Sequence, residues 1–174
     1  NQPYAAPKGD ANVALPARLP FAALRAVFVN GQFRADLSDE LKGQKGVVID
    51  SLKHHLAHGP VKEHYGTVAP TGERLFTAMN TSAPTDGMIL LVTKGVKVER
   101  PIHVLHVTTW ERQLVQPRDL FMLHEGAEAE VIIEHVALDT PEAFVNSVRE
   151  CVVGEGARLT LHKRIPHGAG LGGG

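Results

Sequence analysis

Hydrophobic and polar positions change rhythm about halfway along the chain. Before residue 24, Pro3, Pro7, Pro16 and Pro20 punctuate a stretch with no periodicity, which predicts an extended lead-in. The run Ala26-Val27-Phe28-Val29, then Asn30-Gly31, then Gln32-Phe33 predicts a β-hairpin. Asn-Gly supplies the two positive φ angles of a tight type I′ turn. A short strand, Val47-Val48-Ile49, meets Asp50-Ser51, which predicts a capped helix from Leu52, ended by Gly59 and Pro60. Residues 73–80 allow another short helix, with Leu75, Phe76 and Met79 on one side.

From Met88 onward, short segments rich in Val, Ile and Leu alternate with Gly-containing turns. Three of them align on a glycine: Ile89 to Val98 around Gly95, Leu120 to Ala129 around Gly126, and Cys151 to Thr160 around Gly156. Gly126 lies 31 residues after Gly95, and Gly156 lies 30 after Gly126. A strand–glycine turn–strand unit at that period is a repeat signature, and each unit is too small to bury its own apolar face. Stacked units predict a mainly β fold, a parallel β-solenoid, with an evenly spaced Greek-key sandwich as the competing arrangement. The expected organisation is a Pro-rich lead-in (1–23), a hairpin with short helices capping the solenoid (24–87), the coiled rungs (88–165) and a Gly-rich tail (166–174). A solenoid of few rungs has open ends, so self-association, for example as a homodimer, is expected.

Composition narrows the function. The 174 residues suit one domain. Lys plus Arg is 18 against 19 Asp plus Glu, a net charge of −1, with no basic run longer than Lys163-Arg164. Such a balance argues against nucleic acid or an anionic membrane as partner. Apolar runs such as Met88 to Val92 fall far short of the ~20 residues that span a bilayer. The single cysteine, Cys151, excludes an internal disulfide and an all-Cys zinc or iron–sulfur site made by this chain alone. One thiol and no signal-peptide pattern fit a reducing, cytoplasmic setting. A chain opening on Asn1 and closing on a glycine-rich stretch is expected to be part of a longer protein.

Ten histidines are the main invitation to metal chemistry. In the predicted helix, His54 and His58 share a face at i, i+4, where His64 or Glu63 could add a ligand. The position after the first histidine is His55, not the Glu a metalloprotease motif requires, and a solvated face with His58 at a helix C-terminus is the simpler reading. His103 and His106, three apart in a predicted strand, point to opposite faces and cannot share a metal; Glu99 and Glu111 do not complete a cupin-type set. Cys151 would need a base such as His162 to act as a nucleophile, and a buried, inert thiol is the simpler expectation. Gly168-Ala169-Gly170-Leu171-Gly172 lacks the strand-to-helix context of a phosphate loop. These residues point to a non-catalytic scaffold, with a small β-solenoid or cupin-like metal enzyme using its histidines as the alternative.

A family resemblance sharpens this. The run from Leu75-Phe76-Thr77-Ala78-Met79-Asn80 through Asp86-Gly87, leading into Lys94-Gly95-Val96 and Glu99-Arg100-Pro101-Ile102, resembles the SufB/SufD family of iron–sulfur cluster assembly proteins, most closely its SufD branch. Gln116-Pro117-Arg118-Asp119-Leu120, Glu125-Gly126-Ala127 with Glu134, and Asn146-Ser147-Val148-Arg149-Glu150 continue the match, and Val27 to Gly31 and Gly46 to Ile49 fit its upstream segment. Met79, the Ala83-Pro84 pair and Thr93 depart from the usual residues. The resemblance covers about residues 24–165. It implies a right-handed parallel β-helix and a scaffold subunit that pairs with a SufB-like paralogue and works with a SufC-like ABC ATPase. It also implies that any iron–sulfur cluster belongs to the complex, with no cofactor bound by this chain alone. The family's sulfur and iron ligands lie in later rungs than residue 165, so no catalytic, cofactor or metal residue is carried over.

Overall fold

The computed structural model describes residues 13–69, 72, 74–109, 114–138 and 143–164. The Gly-rich tail, Glu111 and the first half of the lead-in lie outside them. Eleven strands are described: β1 (Leu24–Val29), β2 (Gln32–Phe33), β3 (Val47–Ser51), β4 (Met88–Val92), β5 (Ile102–Thr108), β6 (Leu114–Val115), β7 (Arg118–Leu123), β8 (Glu128–Ala137), β9 (Phe144–Val145), β10 (Val148–Val153) and β11 (Arg158–Arg164). Two short helices, α1 (Gly59–His64) and α2 (Leu75–Ser82), and two 3₁₀ turns, Ala35–Leu37 and Leu52–His55, lie before β4.

The strands form mixed sheets with a regular plan. One sheet runs β11-β8-β5-β1-β2, a second β10-β7-β4-β3, and a two-stranded third joins β6 to β9. The hairpin pair β1–β2 and the pair β3–β4 are antiparallel; every other pairing is parallel. Leu90 aligns with Phe121 and Phe121 with Cys151 in one sheet, while Ile102 aligns with Val131 and Val131 with Leu161 in the other. Strands one sequence repeat apart are thus neighbours in space. The repeat glycines stack as well: Gly95, Gly126 and Gly156 have φ of +70°, +66° and +65°. The Gly95 amide donates to the Glu125 carbonyl and the Gly126 amide to the Glu155 carbonyl, each at 2.9 Å.

Alternate residues of the two large sheets face a shared core. Met88, Leu90 and Val92 of β4, Phe121 and Leu123 of β7, Ile102 and Val104 of β5, and Val131 and Ile133 of β8 meet there with Ala26 and Phe28. The outer faces are covered too. Ile89, Leu120 and Met122 pack under Leu52, Val61 and Tyr65, while Val27, Val29, Leu105 and Val107 pack beneath Val13, Leu15 and Leu37. Burial on both faces explains why β4 and residues 120–123 of β7 read as continuous apolar runs rather than alternating ones.

Several local expectations hold and several do not. The Asn30-Gly31 turn carries two positive φ angles, +50° and +73°, as predicted. Gly59 and Pro60 begin α1 instead of ending a helix from Leu52, which is only a 3₁₀ turn. Proline is well placed in a first helical turn, where its missing N–H had no intrahelical partner. Ser51 does not cap: its hydroxyl donates to Asp86. Within α2 the buried residue is Asn80, whereas Leu75 and Phe76 are 71% and 58% exposed.

Candidate functional site

The most elaborate side-chain constellation lies on the outer face of the four-stranded sheet. Arg118 opens β7, and Glu150 sits on adjacent β10, where it aligns with Leu120. The two are therefore diagonal neighbours on one face. Arg118 Nη2 and Nε donate to Glu150 Oε2 at 2.9 and 3.1 Å, with both side chains almost wholly buried. The carboxylate also accepts the amides of Gly66 (2.8 Å), Val68 (2.9 Å) and Ala69 (3.0 Å). Burial alone pushes the Glu150 carboxyl up, but the Ala69 and Gly66 amides and the Arg118 guanidinium outweigh it and hold it below its usual range.

Arg118 is equally engaged. Its Nη1 donates to Thr81 Oγ1 at 2.7 Å and to Asn80 Oδ1 at 3.3 Å, and the guanidinium lies 5.0 Å over the Tyr65 ring. The Asn80 amide donates to the carbonyls of Pro117 and Asn146 at 2.9 and 2.8 Å. Asn146 in turn donates to the Phe76 carbonyl at 2.7 Å and to Gln116 Oε1 at 3.1 Å. This network fastens α2 and the segment after α1 to the sheet. With partners on every side, it holds structure together. Asn80, Pro117, Arg118, Asn146 and Glu150, which carry much of the sequence resemblance, all belong to it.

A second clamp centres on Asp86. Its carboxylate accepts from Ser51 Oγ at 3.0 and 2.8 Å, from the Gly87 amide at 2.7 Å and from the Lys53 amide at 3.3 Å. A Cβ on Gly87 would collide with the Arg118 carbonyl, so close backbone approach requires glycine there.

The histidines separate. His103 faces outward and its Nε2 meets Glu134 Oε2 at 2.9 Å; burial lowers its pKa against the pull of that carboxylate. His106 faces the core, stacked between Phe28 (5.0 Å) and His135 (4.7 Å, 9° between rings). Neither His106 nitrogen has a protein partner. Burial, with Arg149 nearby, lowers its pKa to about 3, and burial next to His106 does the same for His135. The opposite facing of His103 and His106 is the one their spacing predicts, and Glu99 instead donates its backbone amide to Gln44.

His54 and His58 do not share a helix face. His54 Nδ1 contacts Asp50 Oδ1 at 3.1 Å, while His58 is the N-cap of α1, not a helix C-terminal residue; His64 and Glu63 lie within α1. His55, which sequence spacing did not single out, contacts both Asp50 and His58. Cys151 is half-buried against the shared core, with its thiol pushed up by burial, which disfavours the thiolate. His162 pairs with Glu130 at 3.1 Å on the outer side of β11, away from that thiol. Among the described residues, no three or more His, Cys, Asp or Glu side chains are arranged to hold one metal ion. No helix among them is long and apolar enough to cross a membrane.

The chain is mainly β, with these motif residues locked in a buried clamp. The family model for the SufBD protein N-terminal region matches residues 20–104. The SufBD family iron–sulfur cluster assembly protein slr0076 of Synechocystis is 27% identical over 147 residues, covering 78% of this chain and 32% of that protein. The SufBD family protein slr0074 of the same organism is 23% identical over 158 residues, covering 79% and 32%. The SufBD family protein Rv1461 of Mycobacterium tuberculosis is 28% identical over 92 residues, 52% of this chain and 11% of that protein. Over these stretches the chain is similar to the SufB/SufD family. It spans about a third of the length of the Synechocystis relatives it matches.

Proposed function

We propose that this chain is part of a SufD-like scaffold subunit of a SufBCD-type complex that assembles iron–sulfur clusters in the cytoplasm. In this reading it pairs with a SufB-like paralogue, works with a SufC-like ABC ATPase, and is itself non-catalytic, the cluster forming at the level of the complex. Three parallel ladders at a thirty-residue offset support a right-handed parallel β-helix as the frame, since parallel crossovers are right-handed in ~98% of cases. The observation that carries the proposal is the match to a SufBD family model and to proteins named for iron–sulfur cluster assembly. A lone half-buried cysteine with a raised thiol pKa fits a subunit whose cluster ligands come from elsewhere.

Affinity purification of the complete gene product from its own cells, with mass spectrometry of what accompanies it, tests this directly. Recovery of a paralogous β-rich subunit and an ABC-type ATPase is expected. Recovery of the chain without either partner would overturn the scaffold role.

A further inference from the structure

We propose that His55 and His58 form a binding site for a late first-row divalent cation such as Zn²⁺ or Cu²⁺, with Asp50 holding His55 in the ligating orientation. The site does not depend on the assembly function above. Asp50 lies near the end of β3, five residues before His55, and its Oδ2 is 3.1 Å from His55 Nε2. That contact places the proton on Nε2 and leaves the Nδ1 lone pair free, the carboxylate–histidine arrangement that orients and strengthens metal-binding imidazoles.

The bend between the 3₁₀ turn and α1 then brings His58 Nδ1 to 3.0 Å from His55 Nδ1, with ring centres 5.0 Å apart and planes at 66°. Two nitrogens each about 2.1 Å from one cation lie about 3.0 Å apart at the right angle of tetragonal copper and about 3.4 Å apart at the tetrahedral angle of zinc, so the pair is spaced for the first and within a few tenths of an ångström of the second. In the metal-free protein the His58 Nδ1–H donates to His55 Nδ1. A cation takes the place of that shared proton while His58, which is exposed, moves its own proton to Nε2. Imidazole donors favour zinc, copper and nickel over magnesium or calcium, and water fills the remaining positions. His54 is held on the other Asp50 oxygen and serves as the internal control.

The test is calorimetric titration of the full-length, untagged protein with ZnCl₂ and with CuCl₂, alongside the variants H55Q, H58Q, D50A and H54Q. One cation per chain is expected, with affinity at least ~10-fold weaker in H55Q and in H58Q, about 10-fold weaker in D50A, and unchanged in H54Q. Electron paramagnetic resonance of the copper form should report two imidazole nitrogens, falling to one in either glutamine variant, with thermal melts confirming that the variants fold. Absence of stoichiometric uptake, wild-type affinity in H55Q and H58Q, or an equal loss in H54Q would each overturn the site. An unchanged affinity in D50A would overturn the orienting role of Asp50.

Discussion

A buried Arg–Glu pair is stable only when the desolvation of both ions is matched by fixed partners, and Glu150 has five such donors. Removing one ion strands the other. Arg118→Ala is expected to lower unfolding free energy by about 3–5 kcal/mol, measured by urea denaturation. A loss below about 1 kcal/mol would mean the clamp is slack. His106 and His135 behave differently, since each is neutral in the core with a folded pKa of about 3. Below the unfolded value of about 6.5, the unfolded chain binds protons the folded chain refuses. Stability is therefore full above pH 6.5 and falls as pH drops towards about 3, by up to about 1.4 kcal/mol per pH unit for each histidine. His106→Phe keeps the stack against Phe28 and removes one titrating group. It should flatten the stability profile between pH 6 and about 4, and a profile as steep as that of the parent protein would refute the assignment.

At the scale of elements, α2 is held by polar anchors more than by apolar burial. Leu75 and Phe76 face solvent while Asn80 is buried with two donated hydrogen bonds. Asn80→Ala should therefore free the helix, costing about 1–3 kcal/mol and speeding amide exchange across 75–82 ahead of the strands. Uniform exchange in step with global unfolding would show that α2 is held some other way. The turn between β1 and β2 is constrained twice over. Gly31 sits at φ +73°, and a Cβ there would lie 2.3 Å from Thr85 Oγ1. Gly31→Ala should cost more than the ~1 kcal/mol typical of a positive-φ position alone, because Thr85 and Val115 must move as well.

For the whole molecule, the outermost described strands decide behaviour in solution. β10 and β11 lie at sheet edges, and their core-facing Val153 and Leu161 are 46% and 41% exposed. Unpaired edges beside apolar positions are templates for another chain. Light scattering of the 174-residue chain should show concentration-dependent association, reduced in the double variant V153K/L161E. A monodisperse monomer at high concentration would refute this.

Some features follow from short-range chemistry alone. The Asn30-Gly31 hairpin needs only two residues tolerant of positive φ, and the thirty-residue glycine spacing needs only a chain that returns to the same turn at each repeat. Odd spacing likewise sufficed to separate His103 from His106. Other features depended on contacts between residues far apart in the chain, which no local pattern encodes. Apolar periodicity placed Leu75 and Phe76 on one side of a short helix, but Arg118 and Asn146 recruited Asn80 to the sheet and left those two exposed. Gly59-Pro60 suits the end of one helix and the start of another, and packing of Val61 beneath the sheet selected the start. His55 became the central imidazole of its cluster only because β3 places Asp50 on one side and the bend into α1 places His58 on the other. The family's motif residues were visible in order along the chain, but their joining in one buried network is a property of the folded sheet, where strands thirty residues apart become neighbours.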